Sequence, residues 1–173
     1  LLRGIYSNGF EKPSPIQQRA IKPIIMGHDI IAQSQSGTGK TGCFVISALE
    51  KIDTNNSDIQ VMIIAPTREL SHQIKNVLDN ISINMKNLRS QLLVGGTAQD
   101  TDINNLKYNS PQIIVGCPGR IHDIMRRNFF NSDTIKLLIL DEADEMLSSG
   151  FKDQIYQIFK HLSNNIQVAL FSA

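Results

Sequence analysis

A glycine-rich segment carries the residue types that bind the phosphates of a nucleotide. The segment Ser34–Thr41 reads SQSGTGKT, with Ser34 standing where the usual pattern has glycine or alanine, and it precedes a helical pattern. Glycines let the backbone fold around phosphate oxygens, and the N–H groups at a helix N-terminus form an anion-binding nest. Lys40 is placed to reach the β- and γ-phosphates, and the Thr41 hydroxyl to ligate Mg²⁺. We therefore predict a nucleotide site formed by Ser36, Gly37, Thr38, Gly39, Lys40 and Thr41.

Two adjacent carboxylates could hold the metal ion and activate water. The apolar run 137–140 leads directly into Asp141 and Glu142. An aspartate at the end of a buried strand can hold Mg²⁺ through a water molecule, and the next residue can act as general base on the attacking water. The alternative is the acidic first turn of a helix, where carboxylates complement the helix dipole. With a phosphate loop upstream, the sequence favours catalytic roles for Lys40, Asp141 and Glu142.

A glutamine upstream of the phosphate loop has the chemistry to select adenine. Gln17 ends the segment 9–17, which reads GFEKPSPIQ. Its amide offers both a donor and an acceptor, and that pair matches the amino group and ring nitrogen on the adenine edge. A proline-rich turn before a helix that begins near Ile16 would also explain the two prolines of this segment. That simpler alternative does not predict a glutamine at this distance from the loop.

The elements that must position these groups are short apolar runs alternating with helical patterns. The runs lie at 30–32, 61–65, 92–94, 113–115, 137–140 and 168–171, and the helical patterns at 39–52, 68–82, 99–107, 119–127 and 152–162. Runs without alternation are typical of strands buried on both faces. We predict an α/β fold, a parallel sheet flanked by helices on both faces. Ligands of such sheets bind at the carboxyl ends of the strands, where the candidate residues lie.

Length and composition indicate a single α/β domain over residues 1–173. Hydrophobic residues make up 41% of the chain and charged residues 19%, which is typical of a globular protein. The 17 basic and 16 acidic residues give a formal net charge of +1, so a nucleic acid would be bound by a few placed groups rather than a broad basic surface. Because both ends break off within patterned segments, we expect an excised domain. The two cysteines, Cys43 and Cys117, are expected to be buried free thiols in a reducing compartment.

The ordered motifs resemble the DEAD-box RNA helicase family. Residues 141–144 read Asp-Glu-Ala-Asp, the signature that names the family, and the segments 9–17 and 34–41 are similar to its other nucleotide motifs. The resemblance covers the whole chain and implies a RecA-like P-loop NTPase domain, the first of two, with the second absent. The segments 1–6, 11–14, 17–21 and 144–147 are similar to the subgroup of eukaryotic translation initiation factor 4A. The segments 32–36 and 150–152 are similar to its exon-junction-complex branch.

Three segments that follow strands are similar to the family's RNA-contacting motifs. They contain Pro66, Thr67 and Arg68 after the second strand, Gly95 and Gly96 after the third, and Pro118, Gly119 and Arg120 after the fourth. Helix starts can donate backbone N–H groups to phosphates, the arginines add charge, and the glycines allow close approach. The resemblance implies contacts to the RNA backbone and 2′-hydroxyls rather than to bases. The family usually has threonine where Cys117 stands, so one hydroxyl contact is in doubt.

The end of the chain resembles a motif that couples nucleotide state to RNA unwinding. Ser172 and Ala173 match the first two residues of the family's Ser-Ala-Thr motif. The resemblance implies that Ser172 bonds the carboxylate region of Asp144.

The resemblance implies an ATP-dependent RNA helicase with ATP and Mg²⁺ as cofactors. A second RecA-like domain would close over ATP and RNA and supply an arginine finger, so this domain alone should be nearly inactive. Two alternatives stay open: an ATP-dependent RNA clamp with little turnover, and a RecA-like ATPase acting on DNA or protein. Expected partners are RNA, the second domain, and protein cofactors of translation initiation or the exon junction complex. The expected location is intracellular, in the cytoplasm, the nucleus or both.

Overall fold

Six parallel strands form one sheet at the centre of the chain. The computed structural model describes residues 1–148 and 150–173, and the sheet order is β1-β6-β5-β2-β4-β3. The strands are β1 Ile30–Gln33, β2 Val61–Ile64, β3 Ser90–Leu93, β4 Ile113–Gly116, β5 Leu137–Leu140 and β6 Gln167–Ser172. Every neighbouring pair is parallel. The predicted α/β fold with a parallel sheet is confirmed.

Eight α-helices accompany the strands in the described part of the chain. They are α1 Leu2–Ser7, α2 Pro15–Ile25, α3 Lys40–Lys51, α4 Arg68–Ser82, α5 Gln99–Asn109, α6 Pro118–Arg126, α7 Ala143–Ser148 and α8 Lys152–His161, with a 3-10 turn at Ser132–Thr134. The five predicted helical patterns all form helices. The additional helix α7 begins inside the acidic segment 141–144, so both interpretations of that segment hold: it ends a strand and opens a helix. None of these helices is both long and apolar enough to cross a lipid bilayer.

Two hydrophobic clusters pack on opposite faces of the sheet. One cluster joins α2, α3 and α4 to alternate strand residues, among them Ile63, Val115 and Ile139. The other joins α5, α6, α7 and α8 to the intervening residues, among them Ile64 and Leu138. Alternate residues of a strand point to opposite faces, so a strand between two helical layers needs apolar residues throughout. All residues of β2, β4 and β5 are buried, which explains why the apolar runs of these strands do not alternate with polar residues.

The prediction that every strand is buried on both faces is wrong for the outer part of the sheet. β1 and β3 are edge strands, and Ile31 of β1 is 82% exposed. β6, which pairs with β1, alternates between buried and half-buried residues. The helical layer that covers one face of the sheet's centre does not cover that face of β1. An apolar run alone therefore does not distinguish a central strand from an edge strand.

The two cysteines are free thiols in different environments. Cys43 is buried in α3, and burial raises the pKa of its thiol to about 12. Cys117 is only half-buried, and its Sγ lies 3.5 Å from the Ser71 hydroxyl oxygen. The prediction of buried free thiols is therefore confirmed for Cys43 and only partly for Cys117.

Replacing Gly116 by alanine should destabilise the fold, because β4 and β3 approach too closely there for a side chain. A Cβ atom at Gly116 would lie 2.1 Å from the Leu93 carbonyl oxygen. Separating the two strands should cost about 1–3 kcal/mol in the free energy of unfolding, measured by urea denaturation. Gly119→Ala is the matched control, since a Cβ there meets no atom within 4 Å. Equal stability of the two variants would contradict the close strand approach.

Candidate functional site

The phosphate loop connects β1 to the first residue of α3. Gly37 and Gly39 have φ values of 78° and 93°, a left-handed backbone that glycine adopts without steric cost. Thr38 Oγ1 donates to the Gln35 carbonyl oxygen at 2.7 Å, and it also shares a hydrogen bond with the Ser34 hydroxyl. The serine at the unusual position thus helps to hold the loop closed. The loop ends at the N-terminus of a 12-residue helix, as an anion-binding loop requires.

Lys40 extends from the start of α3 to the carboxyl end of β6. Its Nζ donates to the Ser172 carbonyl oxygen at 3.0 Å. This contact holds the ammonium group beside the phosphate loop. A bound phosphate would offer the same ammonium a stronger, charge-assisted acceptor.

One cavity brings the phosphate loop and the two carboxylates together. It has a volume of about 360 Å³. It is lined by Ser36, Gly37, Gly39, Lys40, Thr41 and Gly42 from the loop and α3, by Asp141 and Glu142 after β5, by Leu70, Gln73 and Val77 of α4, and by Phe10. The predicted nucleotide-binding residues near Lys40 and the candidate catalytic residues Asp141 and Glu142 therefore line one cavity at the carboxyl edge of the sheet, although they are far apart in sequence.

Gln17 links the start of α2 to the phosphate loop. Its Oε1 accepts a hydrogen bond from the Ser14 backbone N–H at 2.9 Å, and its Nε2 donates to the Gly39 carbonyl oxygen at 3.1 Å. The side chain is 4% exposed. The proline-rich turn and the helix start near Ile16 are also observed. Each amide atom can make one further hydrogen bond, so a contact to adenine stays a prediction.

Phe10 is a cavity residue that the sequence alone did not single out. Its ring packs against Gly42 in α3, where an added Cβ would lie 2.6 Å from Phe10 Cε1. Glycine inside a helix costs about 1 kcal/mol relative to alanine, so Gly42 was a signal of close packing. Gly42 therefore lets Phe10 form one wall of the nucleotide cavity.

Burial perturbs both carboxylates that follow β5. Asp141 is 4% exposed, and burial raises its pKa while the nearby Lys40 charge opposes the rise. Burial also raises the pKa of Glu142, assisted by a side-chain hydrogen bond with Glu145 and by the Asp141 charge. Glu142 has a φ of 52°, and its N–H donates to Asp141 Oδ1 at 3.1 Å. A left-handed backbone at a non-glycine residue is strained, and such strain is concentrated at functional sites.

Asp141→Asn should stabilise the folded chain at neutral pH in the presence of a chelator. Because the folded-state pKa of Asp141 lies above its unfolded value, Asp141 contributes stability below that unfolded value and loses it as pH rises through the folded pKa. The melting temperature of the variant should therefore exceed that of the parent at pH 7, and the difference should vanish at low pH. Asp133→Asn, at an exposed position, is the control. A lower melting temperature at pH 7 would contradict a burial cost at Asp141.

Mg²⁺ fits the oxygen donors that share the nucleotide cavity. Thr41 offers a hydroxyl and Asp141 a carboxylate, and both line the same cavity. Mg²⁺ is typically held by one or two protein oxygens together with waters and substrate phosphates. The described residues contain no group of three or more His, Cys, Asp or Glu residues that could hold a metal by themselves. A shared nucleotide–metal site therefore suits this donor set better than a protein cage.

A second cavity joins the three segments predicted to bind RNA. Its volume is about 480 Å³. It is lined by Pro66 and Arg68 of the first segment, Gly95 of the second, Gly119 and Arg120 of the third, and Cys117, Asp123 and Phe151. The guanidinium of Arg68 lies over the two glycines, since an added Cβ at Gly96 would be 2.6 Å from Arg68 Nη1. The sheet therefore does gather the three segments at one surface.

The helix starts at this surface are capped differently. Thr67 caps α4, and its Oγ1 accepts from the Leu70 N–H at 3.1 Å. Pro118 opens α6, and its cap residue Cys117 makes no side-chain capping bond. The N-terminus of α6 thus keeps backbone N–H groups that a phosphate could accept from, even without a threonine before it.

Arg120, which is predicted to bind RNA, lines the second cavity and also has partners within the chain. It forms an ion pair with Asp102, and its Nη2 donates to the Thr97 carbonyl oxygen at 2.9 Å. The side chains of Arg120 and Asp102 are 12% and 7% exposed. Through these two interactions, Arg120 links α6 to the loop that follows β3. The buried partner Asp102 was not identified from the sequence, because an acidic residue in the first turn of a helix is ordinary there.

The predicted contact between Asp144 and Ser172 is not made in this structure. Asp144 is exposed at the start of α7, and no hydrogen bond joins it to Ser172 within the described residues. Instead, the Ser172 carbonyl accepts from Lys40, and the Ala173 carbonyl accepts from Gln33 Nε2 at 3.0 Å. The end of β6 is therefore hydrogen-bonded to the phosphate loop, to Lys40 and to β1.

Comparison with known proteins gives consistent matches over the whole chain. The family profile described as DEAD/DEAH box helicase matches residues 14–173. The chain is 56% identical over all its 173 residues to the "ATP-dependent RNA helicase eIF4A" of Aspergillus niger and 54% identical to that of Pyricularia oryzae. In both cases it covers 43% of the relative, so it spans less than half the length of these proteins.

Solved structures share the fold. A DEAD box protein of the hyperthermophile Methanococcus jannaschii superposes with a TM-score of 0.93 and 38% identity, over 99% of this chain and 47% of that one. The structure of S. cerevisiae Dbp5 bound to RNA and ADP BeF3 gives a TM-score of 0.87 and 37% identity, over 99% of this chain and 43% of that one. The fold is therefore the RecA-like α/β fold of these proteins.

Proposed function

This chain belongs to the DEAD/DEAH box helicase family, and we propose that it is the ATP-binding domain of an ATP-dependent RNA helicase. The observation that carries the proposal is the pair of cavities at the carboxyl edge of one sheet. One holds the phosphate loop and the carboxylates, and the other joins the three segments predicted to bind RNA. The relatives named as RNA helicases favour this function over a clamp or an ATPase acting on DNA or protein.

In the first cavity, the residues of this chain would bind ATP and prepare a water molecule for attack. The backbone N–H groups of the loop and the Lys40 ammonium hold the phosphates, and the Gln17 amide hydrogen-bonds to adenine. Thr41 and Asp141 would hold Mg²⁺, which neutralises the charge that develops on the phosphates. Glu142 accepts the proton of the water that attacks the γ-phosphorus atom. The raised pKa of Glu142 makes it a stronger base than an exposed glutamate.

In the second cavity, the chain would hold the backbone of single-stranded RNA. Arg68 is exposed and supplies a positive charge, while the N-termini of α4 and α6 supply N–H donors. Gly95 and Gly96 leave room for the Arg68 guanidinium, which lies over them at this surface. These groups meet phosphates and sugars rather than base edges, so binding would not depend on sequence.

Full activity would require a second RecA-like domain of the same protein. Its closure over both cavities would supply an arginine finger to the γ-phosphate, a contribution worth roughly 10³–10⁵ in rate. This domain alone would therefore bind nucleotide weakly and hydrolyse it very slowly. Closure on a bent single strand would open a duplex locally, with Asp144, Ser172 and Ala173 coupling the two events. Further partners would be protein cofactors of translation initiation or of the exon junction complex.

We also propose that the protein is intracellular. The free buried thiol of Cys43 suits a reducing compartment. We place the protein in the cytoplasm, the nucleus or both.

Arg68→Gln should weaken RNA binding by the full-length protein about tenfold at constant salt, because it removes one charged phosphate contact. The slope of log affinity against log salt should become shallower by roughly 0.7, the value for one contact to a single strand. Fluorescence anisotropy with a labelled oligouridine, in the presence of Mg²⁺ and a nonhydrolysable ATP analogue, measures both quantities. Arg19→Gln on the exposed side of α2 is the control. Unchanged affinity in the Arg68 variant would contradict the proposed RNA surface.

A further inference from the structure

A groove runs along the free edge of the sheet, away from both cavities. Its volume is about 760 Å³. β3 forms its floor, as the last strand in the sheet order, with a neighbour only on the β4 side. The walls come from α4, through Lys75 and Asp79, and from α5, through Asn105 and Asn109.

Half of the backbone hydrogen-bonding groups of β3 point into this groove. The carbonyl oxygens of Arg89 and Leu93 accept bonds from the β4 side, so the odd-numbered residues of β3 face β4. Backbone direction alternates along a strand, and the N–H and C=O groups of Ser90 and Leu92 therefore face outward. Within residues 1–148 and 150–173, neither residue takes another backbone partner.

A buried side-chain acceptor in the same groove lacks a partner. Gln91 is 8% exposed, and its Nε2 donates to the Asp102 carbonyl oxygen at 2.9 Å. Its Oε1 has no hydrogen-bond partner among the described residues, although it is buried. An unsatisfied buried acceptor destabilises the fold, and a ligand that brings a donor removes this cost. Gln91 lines the groove, so a donor from the occupant would reach this buried atom only with a shift of the Gln91 side chain.

We infer that the open edge of β3 binds an extended acidic peptide segment of a partner protein, which adds to the sheet as a seventh strand. Backbone groups of the peptide would pair with Ser90 and Leu92, the usual source of affinity in strand addition. An apolar residue would pack on the half-buried Leu88 and Leu92. A donor side chain would reach Gln91 Oε1.

The charge of the groove favours a carboxylate on the peptide. Lys75 already pairs with Asp79 at 2.5 Å, and Asp79 also accepts from the Ser90 hydroxyl. Arg89 is exposed, and its Nε donates only to the Ser110 carbonyl oxygen at 3.2 Å. Among the described residues no carboxylate pairs with Arg89. A single strand also enters between two helices more easily than the edge of a second copy, which carries its own flanking helices.

A library of random octapeptides displayed on yeast, selected for binding to this chain, tests the inference. Enriched peptides are resynthesised with fluorescein, and their affinities are compared between Ser90→Pro and Ser90→Ala. Both variants lose the Ser90 hydroxyl, and only proline loses the outward N–H. Proline is tolerated at the first position of an edge strand, which Ser90 occupies. We expect at least tenfold weaker binding to Ser90→Pro than to Ser90→Ala, and loss of the preference for acidic peptides in Arg89→Glu.

A second measurement keeps the test decisive if Ser90→Pro fails to fold. Each peptide is methylated at alternate backbone nitrogens and measured against the unaltered chain. One alternate set should abolish binding and the other should not, because only one set faces β3. Equal binding to the two Ser90 variants, equal effects of both methylation sets, or no enriched peptide would overturn the inference. If the chain associated with itself and this association required the Ser90 N–H, the groove would bind a second copy of the chain instead of a peptide. That result would also overturn the inference.

Discussion

Replacing Lys40 by alanine is expected to weaken binding of Mg²⁺–ATP to this chain by roughly 10- to 100-fold, the range for losing hydrogen bonds to a charged group. The ammonium group is already held in the nucleotide cavity through its bond to the Ser172 carbonyl oxygen. Without it, the β- and γ-phosphates keep the N–H groups of the loop and lose the one charged donor among the described residues that line this cavity. Isothermal titration calorimetry of the chain with Mg²⁺–ATP measures the difference.

Lys51→Ala is the matched control for Lys40→Ala. Lys51 lies at the other end of the same helix, α3, away from the phosphate loop. Its removal should leave ATP affinity unchanged. Circular dichroism of both variants would show that the fold is retained. If the two variants bound ATP equally well, the assignment of the phosphate site would be wrong.

Replacing Glu142 by glutamine is expected to reduce ATP turnover by the full-length protein by about 10²–10⁴, the contribution of a general base. Glutamine keeps the shape of the side chain and cannot accept the proton of the attacking water. ATP affinity should change little, because the phosphates are held by the loop and Lys40. Steady-state phosphate release and ATP binding, measured on the same preparation, separate the two effects.

Glu50→Gln makes the same chemical change at an exposed position near the end of α3. It should leave turnover unchanged. If the Glu142 variant hydrolysed ATP at the wild-type rate, Glu142 would not be the general base. Asp141 would then be the nearest carboxylate. A parallel loss of ATP affinity would instead assign Glu142 to binding.

Local sequence patterns were sufficient to predict the elements and to select most residues of the candidate nucleotide cavity. The strand that ends at Leu140 and the carboxylate that follows at Asp141 lie where the apolar run indicated. The phosphate loop is equally local, since its glycines, lysine and helix start are contiguous in sequence. The carboxyl ends of parallel strands meet at one edge, which explains why these local features form a common cavity.

Features that depend on contacts between distant residues could not be predicted. Arg120 looks like a phosphate ligand in the sequence, and only the folded chain shows its buried partner Asp102. The exposure of Ile31 depends on the place of β1 at the edge of the sheet. Phe10 reaches the nucleotide cavity through its contact with Gly42 of α3. In each case the outcome depends on residues in another element; Asp102, for example, lies 18 positions before Arg120.

We propose that RNA bound beside Arg68 accelerates ATP hydrolysis at Glu142. The most direct test measures ATP turnover by the full-length protein without nucleic acid, with single-stranded RNA, and with single-stranded DNA of the same sequence. RNA should stimulate turnover strongly, DNA should not, and Glu142→Gln should abolish the stimulated turnover. Turnover that is independent of RNA, or equally stimulated by DNA, would contradict the proposed function.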